Sequence, residues 1–205
     1  MRFNSLLPLL LLLACFSGGH EASVKEIAKQ EANILSEVPE TLVDASRLKL
    51  RRNEGLVYHG NKPFSGYQIK RYNNGKPAEK AGYLNGKKHG SFERWGKNGQ
   101  PAYRAVYELG KRHGEALSWW KNGQLRSQTQ FVQEKPHGEL LQWYEDGQLF
   151  KKLTYHMGRE EGMQQAWRKN GKLYVNYEAR NGRIFGMKRA NLCYSLKEET
   201  IELSK

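Results

Sequence analysis

The sequence predicts an all-β protein: an elongated, single antiparallel sheet of repeated β-hairpins, preceded by a short helix. The first reason is a 24-residue period that continues without insertion through most of the chain. A period of 20 to 50 residues indicates stacked units rather than one rounded core. The second is composition, because 21 glycines and 11% aromatic residues occur in an otherwise hydrophilic chain of 205 residues. Disordered chains are poor in aromatic residues, so short strands and turns are expected.

Four columns of residues define the period. One glycine column consists of Gly66, Gly90, Gly114, Gly138, Gly162 and Gly186. In a second column, glycine follows Asn or Asp: Asn74–Gly75, Asn98–Gly99, Asn122–Gly123, Asp146–Gly147 and Asn170–Gly171. The aromatic columns are Trp95, Trp119, Trp143 and Trp167, with Arg71 in the first copy, and Tyr83, Tyr107, Phe131 and Tyr155. Each copy is therefore expected to be the same structural unit.

Each Asn-Gly or Asp-Gly pair predicts a tight hairpin turn. The pair favours a type I′ turn, which needs positive φ at both central residues. In the first copy the strands should cover about 66–72 and 76–84, and stretches such as "LGKRHG" should lead to the next copy. About five hairpins then form one meander. If Asn98 and Gly99 are the two loop residues, Trp95 lies opposite Ala102.

This register separates two faces of the sheet. The mainly apolar face is expected to hold Phe92, Pro101, Tyr103, Ala105, Tyr107, Ala116, Trp120, Leu125, Leu140, Tyr144, Leu149 and Leu153. The other face holds the candidate binding surface, the four column tryptophans with Arg104, Arg126 and Lys152, together with Gln128 and Gln130. Tryptophans beside cations suit cation–π contacts. The tryptophans are either structural rungs between strands or a platform for a ligand.

The segments flanking the repeats have other roles. Residues 1–14 combine Arg2, an apolar run and a small residue, which indicates a secretory signal too short to span a bilayer. Residues 15–54 should be a tether with a helix at about 24–38, which a Ser23–Glu26 capping box begins. This helix either covers the edge of the first repeat or binds a partner. The stretch "LKLR" is a strand candidate in the connector, and residues 191–205 form a tail.

The end of the signal, "LLAC", resembles the lipobox of bacterial lipoproteins, although Leu13 stands where a small residue is usual. The resemblance implies that Cys15 is lipidated with three acyl chains, palmitate among them, and becomes the first mature residue. With Phe16 rather than Asp after it, the default destination in a double-membrane bacterium is the outer membrane. The alternative is an ordinary signal cut nearby, which leaves a free thiol. Lipidation would leave Cys193 unable to form an internal disulfide.

Within residues 55–190, segments such as "GELLQWYEDGQL" and "GMQQAWRKNGKL" resemble the MORN-repeat variant of bacteria, in five full copies with partial ones at each end. The resemblance implies the fold more strongly than the function. Members are often labelled as antitoxins of toxin–antitoxin pairs, the YwqK-like group, and others as MORN-repeat lipoproteins. The chain departs from the family pattern at Gly96, Glu134 and Ala179, which suggests a weakened last repeat.

Charge and motifs limit the possible functions. Residues 55–196 hold 25 Lys and Arg against 11 Asp and Glu, a net charge of +14. This charge either keeps the surface solvated and prevents the strand edges from pairing with other chains, or it attracts anionic surfaces. An exported protein rarely meets DNA, so nucleic acid is not expected as a partner. No nucleophile–base motif, P-loop or zinc-protease motif occurs, and the sequence predicts neither an enzyme nor a cofactor.

Metal binding is also not expected. His89, His113 and His137 recur in the repeat, but stacked copies should separate them by roughly 9–10 Å, too far to share one ion. Met187 and Cys193 are soft ligands, but two are too few for a copper site. The leading expectation is a membrane-anchored extracytoplasmic scaffold that binds a protein or an anionic envelope component. Two alternatives remain: an antitoxin that binds its toxin directly, and an accessory protein in envelope metal handling or enzyme assembly.

Overall fold

A computed structural model describes residues 18–187, 194–197 and 200–203 of the chain. Its helix is α1, Gly18–Ser36, and a 3₁₀ turn covers Ala45–Arg47. The first strands are β1 Leu42–Asp44, β2 Leu48–Arg51, β3 Leu56–His59, β4 Lys62–Pro63, β5 Gly66–Arg71, β6 Pro77–Leu84, β7 Lys87–Trp95, β8 Pro101–Glu108 and β9 Lys111–Trp119. The others are β10 Leu125–Val132, β11 Lys135–Trp143, β12 Leu149–His156, β13 Arg159–Trp167, β14 Leu173–Arg180, β15 Arg183–Met187, β16 Tyr194–Lys197 and β17 Thr200–Leu203.

The main sheet has twelve strands, and the predicted all-β hairpin array is confirmed. Strands β5 to β15 lie side by side in chain order, and each pairs antiparallel with the next. Strand β1 lies parallel to β5 at the first edge, a pairing that the repeat pattern did not predict. The predicted strand "LKLR" is β2, which forms a small separate sheet with β3 and β4. Strands β16 and β17 pair only with each other in the described tail.

The turns at the Asn-Gly pairs differ from the prediction. Gly99 has φ +88°, but Asn98 lacks positive φ, so the pair does not form a type I′ turn. The Gly99 N–H donates to the Gly96 carbonyl and the Gly96 N–H to the Gln100 carbonyl, both at 2.8 Å. This is a type I turn followed by a glycine bulge. Pro101 rather than Ala102 is therefore the partner of Trp95. The turns at Asn122–Gly123 and Asp146–Gly147 repeat the same pattern.

Type I′ geometry occurs instead at the links between copies. Both central residues have positive φ in each linking turn: Asn85–Gly86, Leu109–Gly110, Gln133–Glu134, Met157–Gly158 and Asn181–Gly182. These two-residue turns suit the right-handed twist of the flanking strands. The Asn-Gly and Asp-Gly pairs therefore form tight hairpin turns as predicted, but of a different type, and the type I′ geometry lies at the connections between copies.

The core is thin and lies on the predicted apolar face. Phe92 pairs with Ala105, which pairs with Ala116, and these three residues are buried. Phe131 joins the cluster, and the ring of Phe92 lies 5.9 Å from that of Tyr103. The strand register confirms the predicted apolar face here.

The helix covers part of the opposite face. It packs across β7, β8 and β9 through Ile27, Ile34 and the nearby Val38, all of which are buried. It begins at Gly18 rather than near Val24, so the predicted capping box lies inside the helix and does not start it. In the described ranges, no helix combines the length and apolar character needed to cross a bilayer. The predicted signal at 1–14, Cys15 and Cys193 lie outside the described residues.

Candidate functional site

The four column tryptophans are half-buried, and the backbone carbonyls of three of them accept a hydrogen bond from the preceding copy. The Tyr72 hydroxyl donates to the Trp95 carbonyl at 2.7 Å. In later copies the Trp120 indole N–H donates to the Trp143 carbonyl at 3.1 Å, and the Tyr144 hydroxyl to the Trp167 carbonyl at 2.9 Å. In each case the donor is the residue at the position after the tryptophan column. Gly96 occupies this position in its copy, so it has no side chain to reach Trp119.

The predicted cations do not stack on this tryptophan column. Arg104 lies 3.6 Å from Glu115, and Lys152 lies 2.7 Å from Glu139. Arg126 does contact an indole, but its guanidinium lies 4.6 Å from the ring centre of Trp120, which was assigned to the apolar face. The bulge near the Asn-Gly turns changes the register between Leu125 and Ser127, and the facing residues inferred from an ideal hairpin do not apply there.

The structure reveals a row of cations that sequence reasoning missed. One cation follows each linking turn, and all five are exposed: Lys87, Lys111, Lys135, Arg159 and Arg183, here called the cation row. Within the part of the chain that the structure describes, none of the five forms an ion pair or a side-chain hydrogen bond. Successive members are two strands apart, roughly 9–10 Å along the sheet. Their 24-residue spacing was the signal that could have found them.

Apolar side chains project from the same edge. Leu109 is 54% exposed and Met157 is 38% exposed, each at the first central position of its linking turn. At the first end of the row, an open groove of about 470 Å³ lies between the small sheet and the main sheet. Its lining includes Leu50, Val57 and Lys88. Burial lowers the pKa of Lys88, whose ammonium lies 4.3 Å from the ring centre of Phe92.

The histidine column supports the linking turns. His89 Nδ1 accepts the N–H of Leu109 at 3.2 Å, and His137 Nδ1 accepts that of Met157 at 3.5 Å. His89 Nε2 also lies 3.2 Å from Glu37, and His113 Nε2 lies 3.0 Å from Gln30 Oε1. Each contact joins a histidine to another part of the chain. Among the described residues, no group of three or more His, Cys, Asp or Glu is placed to hold a metal ion.

Two segments of the chain match a known repeat family. Residues 112–133 and 136–157 match the model of the MORN repeat variant, and they correspond to the successive hairpins β9–β10 and β11–β12. The resemblance to MORN repeats is thus confirmed for these copies. No curated protein matches the chain. MORN repeats commonly mediate binding to proteins or membranes, which is compatible with a scaffold role.

Proposed function

We propose that this protein is a binding scaffold of the bacterial cell envelope, anchored by a lipid on Cys15, whose repeat sheet binds the anionic headgroups of a membrane through the cation row. The carrying observation is the row itself, with five exposed cations at equal intervals along one edge. Regular spacing along one edge allows neighbouring members of the row to meet the same surface together. A surface of that kind is better matched by a lipid layer than by a compact small ligand.

Electrostatics supports this assignment. A Lys or Arg near an anionic leaflet contributes about 1 kcal/mol, so several members of the row acting together give useful affinity where one does not. The exposed Leu109 and Met157 on the same edge add apolar groups that can enter the headgroup region. A lipid on Cys15 would hold the sheet near the membrane and raise the local concentration of the cation row.

The test is flotation of the unlipidated Cys15→Ala chain with vesicles of neutral phosphatidylcholine, with or without anionic phosphatidylglycerol. Replacing the five row cations by Gln should abolish binding to the anionic vesicles. The matched control removes five exposed lysines from the Asn-Gly edge: Lys76, Lys97, Lys121, Lys169 and Lys172. The control should retain most of the binding. Equal losses would show that only net charge matters, and would refute a role for the row.

Lipid anchoring is tested separately. The wild-type chain produced in a bacterium should incorporate a labelled palmitate analogue and partition into the detergent phase, because an acylated protein remains with lipid. The Cys15→Ala variant should do neither. If the wild-type chain incorporated no label, the anchor would be refuted and the cation-row result would stand on its own.

A further inference from the structure

The groove between the small sheet and the main sheet has walls that the fold itself holds in place. The small sheet, strands β2 to β4, contributes Leu48, Leu50 and Val57 to its lining. The Val57 N–H donates to the Gly86 carbonyl at 2.8 Å, and the Gly86 N–H donates to the Phe64 carbonyl at 2.7 Å. These backbone bonds fix the small sheet to the first linking turn. The groove is therefore already formed before any ligand binds.

The lining of the groove is mainly apolar. Its volume of about 470 Å³ lies within the range of roughly 300–1,000 Å³ that is usual for small-molecule sites. Leu50 and Leu109 both line the groove and are both more than half exposed. Exposed apolar side chains of this kind gain free energy when a ligand removes them from water. The groove therefore suits an apolar chain, and its apolar lining consists of Leu48, Leu50, Val57, Tyr83 and Leu109.

Lys88 brings a positive charge into this apolar lining. Its side chain is half-buried, and its ammonium lies 4.3 Å from the ring centre of Phe92 and 4.8 Å from that of Tyr107. The two rings attract the ammonium but supply no counter-ion. Within the part of the chain that the structure describes, no carboxylate forms an ion pair with Lys88. An anionic ligand in the groove would neutralise this charge.

The acidic side chain that acts on Lys88, Glu79, already pairs with two other cations. Lys70, which also lines the groove, donates to one oxygen of Glu79 at 3.0 Å, and Arg94 lies 3.6 Å from the other oxygen. Burial lowers the pKa of Lys88, and the charge of Glu79 only partly opposes this effect. One carboxylate thus serves three cations. Lys88 is the cation of the three that has no ion-pair partner, so a ligand with a single carboxylate is sufficient to supply one.

We propose that the groove binds one molecule of a fatty acid, with its carboxylate against the ammonium of Lys88 and its acyl chain along Leu50, Val57 and Leu109. The carboxylate accepts a charge-assisted hydrogen bond from the ammonium, which is stronger than a bond between neutral groups. The acyl chain has no backbone polar groups, whereas a peptide would bring N–H and C=O groups that need partners in an apolar lining.

The test is calorimetric titration of the delipidated Cys15→Ala chain with dodecanoate below its micelle concentration. We expect saturable binding of one molecule per chain. Lys88→Met keeps an unbranched side chain but removes the charge, and it should weaken binding about ten-fold, which is about 1.4 kcal/mol. The matched control is Lys80→Met, because Lys80 is also half-buried and its ammonium lies 4.2 Å from the ring centre of Tyr67, but it does not line the groove. This control should leave the affinity unchanged.

Two further ligands test the two parts of the fatty acid separately on the same Cys15→Ala chain. Dodecylamine has a chain of the same length with a cationic group, and it should bind about ten-fold more weakly than dodecanoate or not at all. Acetate has the carboxylate without the chain and should show no measurable binding. These comparisons need no substitution in the groove, so they remain decisive if circular dichroism shows that Lys88→Met is misfolded.

Three results would overturn the proposal. The first is no saturable binding of dodecanoate. The second is equal affinity of folded Lys88→Met and its parent chain, which would place the ligand elsewhere. The third is equal binding of dodecylamine and dodecanoate, which would mean that the chain adsorbs through apolar contacts alone. The titration contains no vesicles and leaves the cation row intact, so its outcome is independent of the proposed contact between that row and a membrane.

Discussion

Glu134 occupies a turn position that is glycine in the other four linking turns. Its φ is +72°, a conformation that costs a residue with a side chain roughly 1 kcal/mol more than glycine. Its carboxylate accepts the Arg112 N–H at 2.7 Å and the Arg112 Nε–H at 2.6 Å. Arg112 in turn lies 4.0 Å from the ring centre of Phe131. The side chain of Glu134 thus offsets the strain of its own backbone.

Two substitutions at this position separate strain from side-chain bonding. Glu134→Ala should destabilise the protein by about 1 kcal/mol, because it loses a partly exposed ion pair and keeps the strained φ. Glu134→Gly loses the same ion pair but relieves the strain, so it should remain close to the wild type. Urea unfolding measures both. Equal stability of the two variants would show that the φ of this turn carries no cost.

The pKa of Glu134 adds a pH dependence to this comparison. Partial burial opposes its ionised form, but hydrogen bonds and the positive charge of Arg112 outweigh burial and lower the pKa. The stabilisation by the carboxylate is therefore present above the ordinary pKa of a glutamate and is lost as pH falls through the lowered value. The difference in unfolding free energy between the wild type and Glu134→Ala should therefore become smaller at acidic pH.

At the scale of elements, the linking turns bind each hairpin to the previous one. The Gly110 N–H donates to the Lys88 carbonyl at 2.6 Å, and the Gly158 N–H to the Pro136 carbonyl at 2.8 Å. In two copies, the histidine accepts a hydrogen bond from an amide of the linking turn that follows it. These bonds explain why glycine and histidine recur at a fixed distance from the turns. On the opposite edge, Asn98 Oδ1 accepts the Gln100 N–H, which explains the Asn and Asp of that column.

The packing of the segment that follows α1 depends on the absence of a side chain at Gly90. Gly90→Ala should displace the segment at Val38, because the new methyl group would overlap its Cγ2 atom. The matched control is Gly75→Ala, because Gly75 has the same φ of +78° and a Cβ there would have no described atom within 4 Å. We expect limited proteolysis within residues 18–40 to be faster in Gly90→Ala than in Gly75→Ala. Equal rates would mean that the helix does not rely on this contact.

The carboxyl of Glu31 makes the packing of α1 sensitive to pH. Burial raises its pKa, although the N–H of Glu115 and the charge of Arg104 act in the opposite direction. A raised pKa means that the protonated form is favoured in the folded protein. The protonated carboxyl of Glu31 therefore stabilises the fold fully below the ordinary pKa of a glutamate. This stabilisation is lost as the pH rises through the raised pKa.

Glu31→Gln should therefore stabilise the protein at neutral pH, because the amide keeps an acceptor for the Glu115 N–H without a charge to bury. The extra stability of Glu31→Gln over the wild type should become smaller as the pH falls toward 4.5, the ordinary pKa of this carboxyl. Thermal unfolding of both proteins at each pH measures this difference in stability. The titration of other groups cancels, because it is the same in both proteins. A constant difference at every pH would contradict the raised pKa.

At the scale of the whole molecule, the 24-residue period was sufficient to predict the sheet, its strand order and its apolar face. It could not predict the turn types, because Asn-Gly suits both a type I′ turn and a type I turn with a glycine bulge. Because the turn has a glycine bulge, Trp95 has a different partner and Arg126 has different neighbours from those predicted. The parallel strand β1 and the position of α1 depend on contacts distant in sequence, which periodicity does not contain.

The chain-ordered sheet has a consequence for stability. Each inner strand of the repeat array bonds to its neighbours in sequence, so stability is approximately a sum of local terms. The buried cluster of Ala105, Ala116 and Phe131 lies in β8, β9 and β10, and α1 also packs on β8 and β9. These strands should therefore open last. Amide hydrogen exchange should be slowest there and faster toward β14 and β15.

A substitution near the far end tests whether the array opens locally. Tyr177 on β14 is buried, and its hydroxyl donates to Glu160 at 2.9 Å. Tyr177→Ala should cost about 3 kcal/mol of local packing, and it should accelerate exchange in β13, β14 and β15. Exchange in β6, β7 and β8 should stay unchanged, because five strands of the sheet separate β8 from β14. Equal acceleration in every strand would show that the sheet unfolds as one cooperative unit.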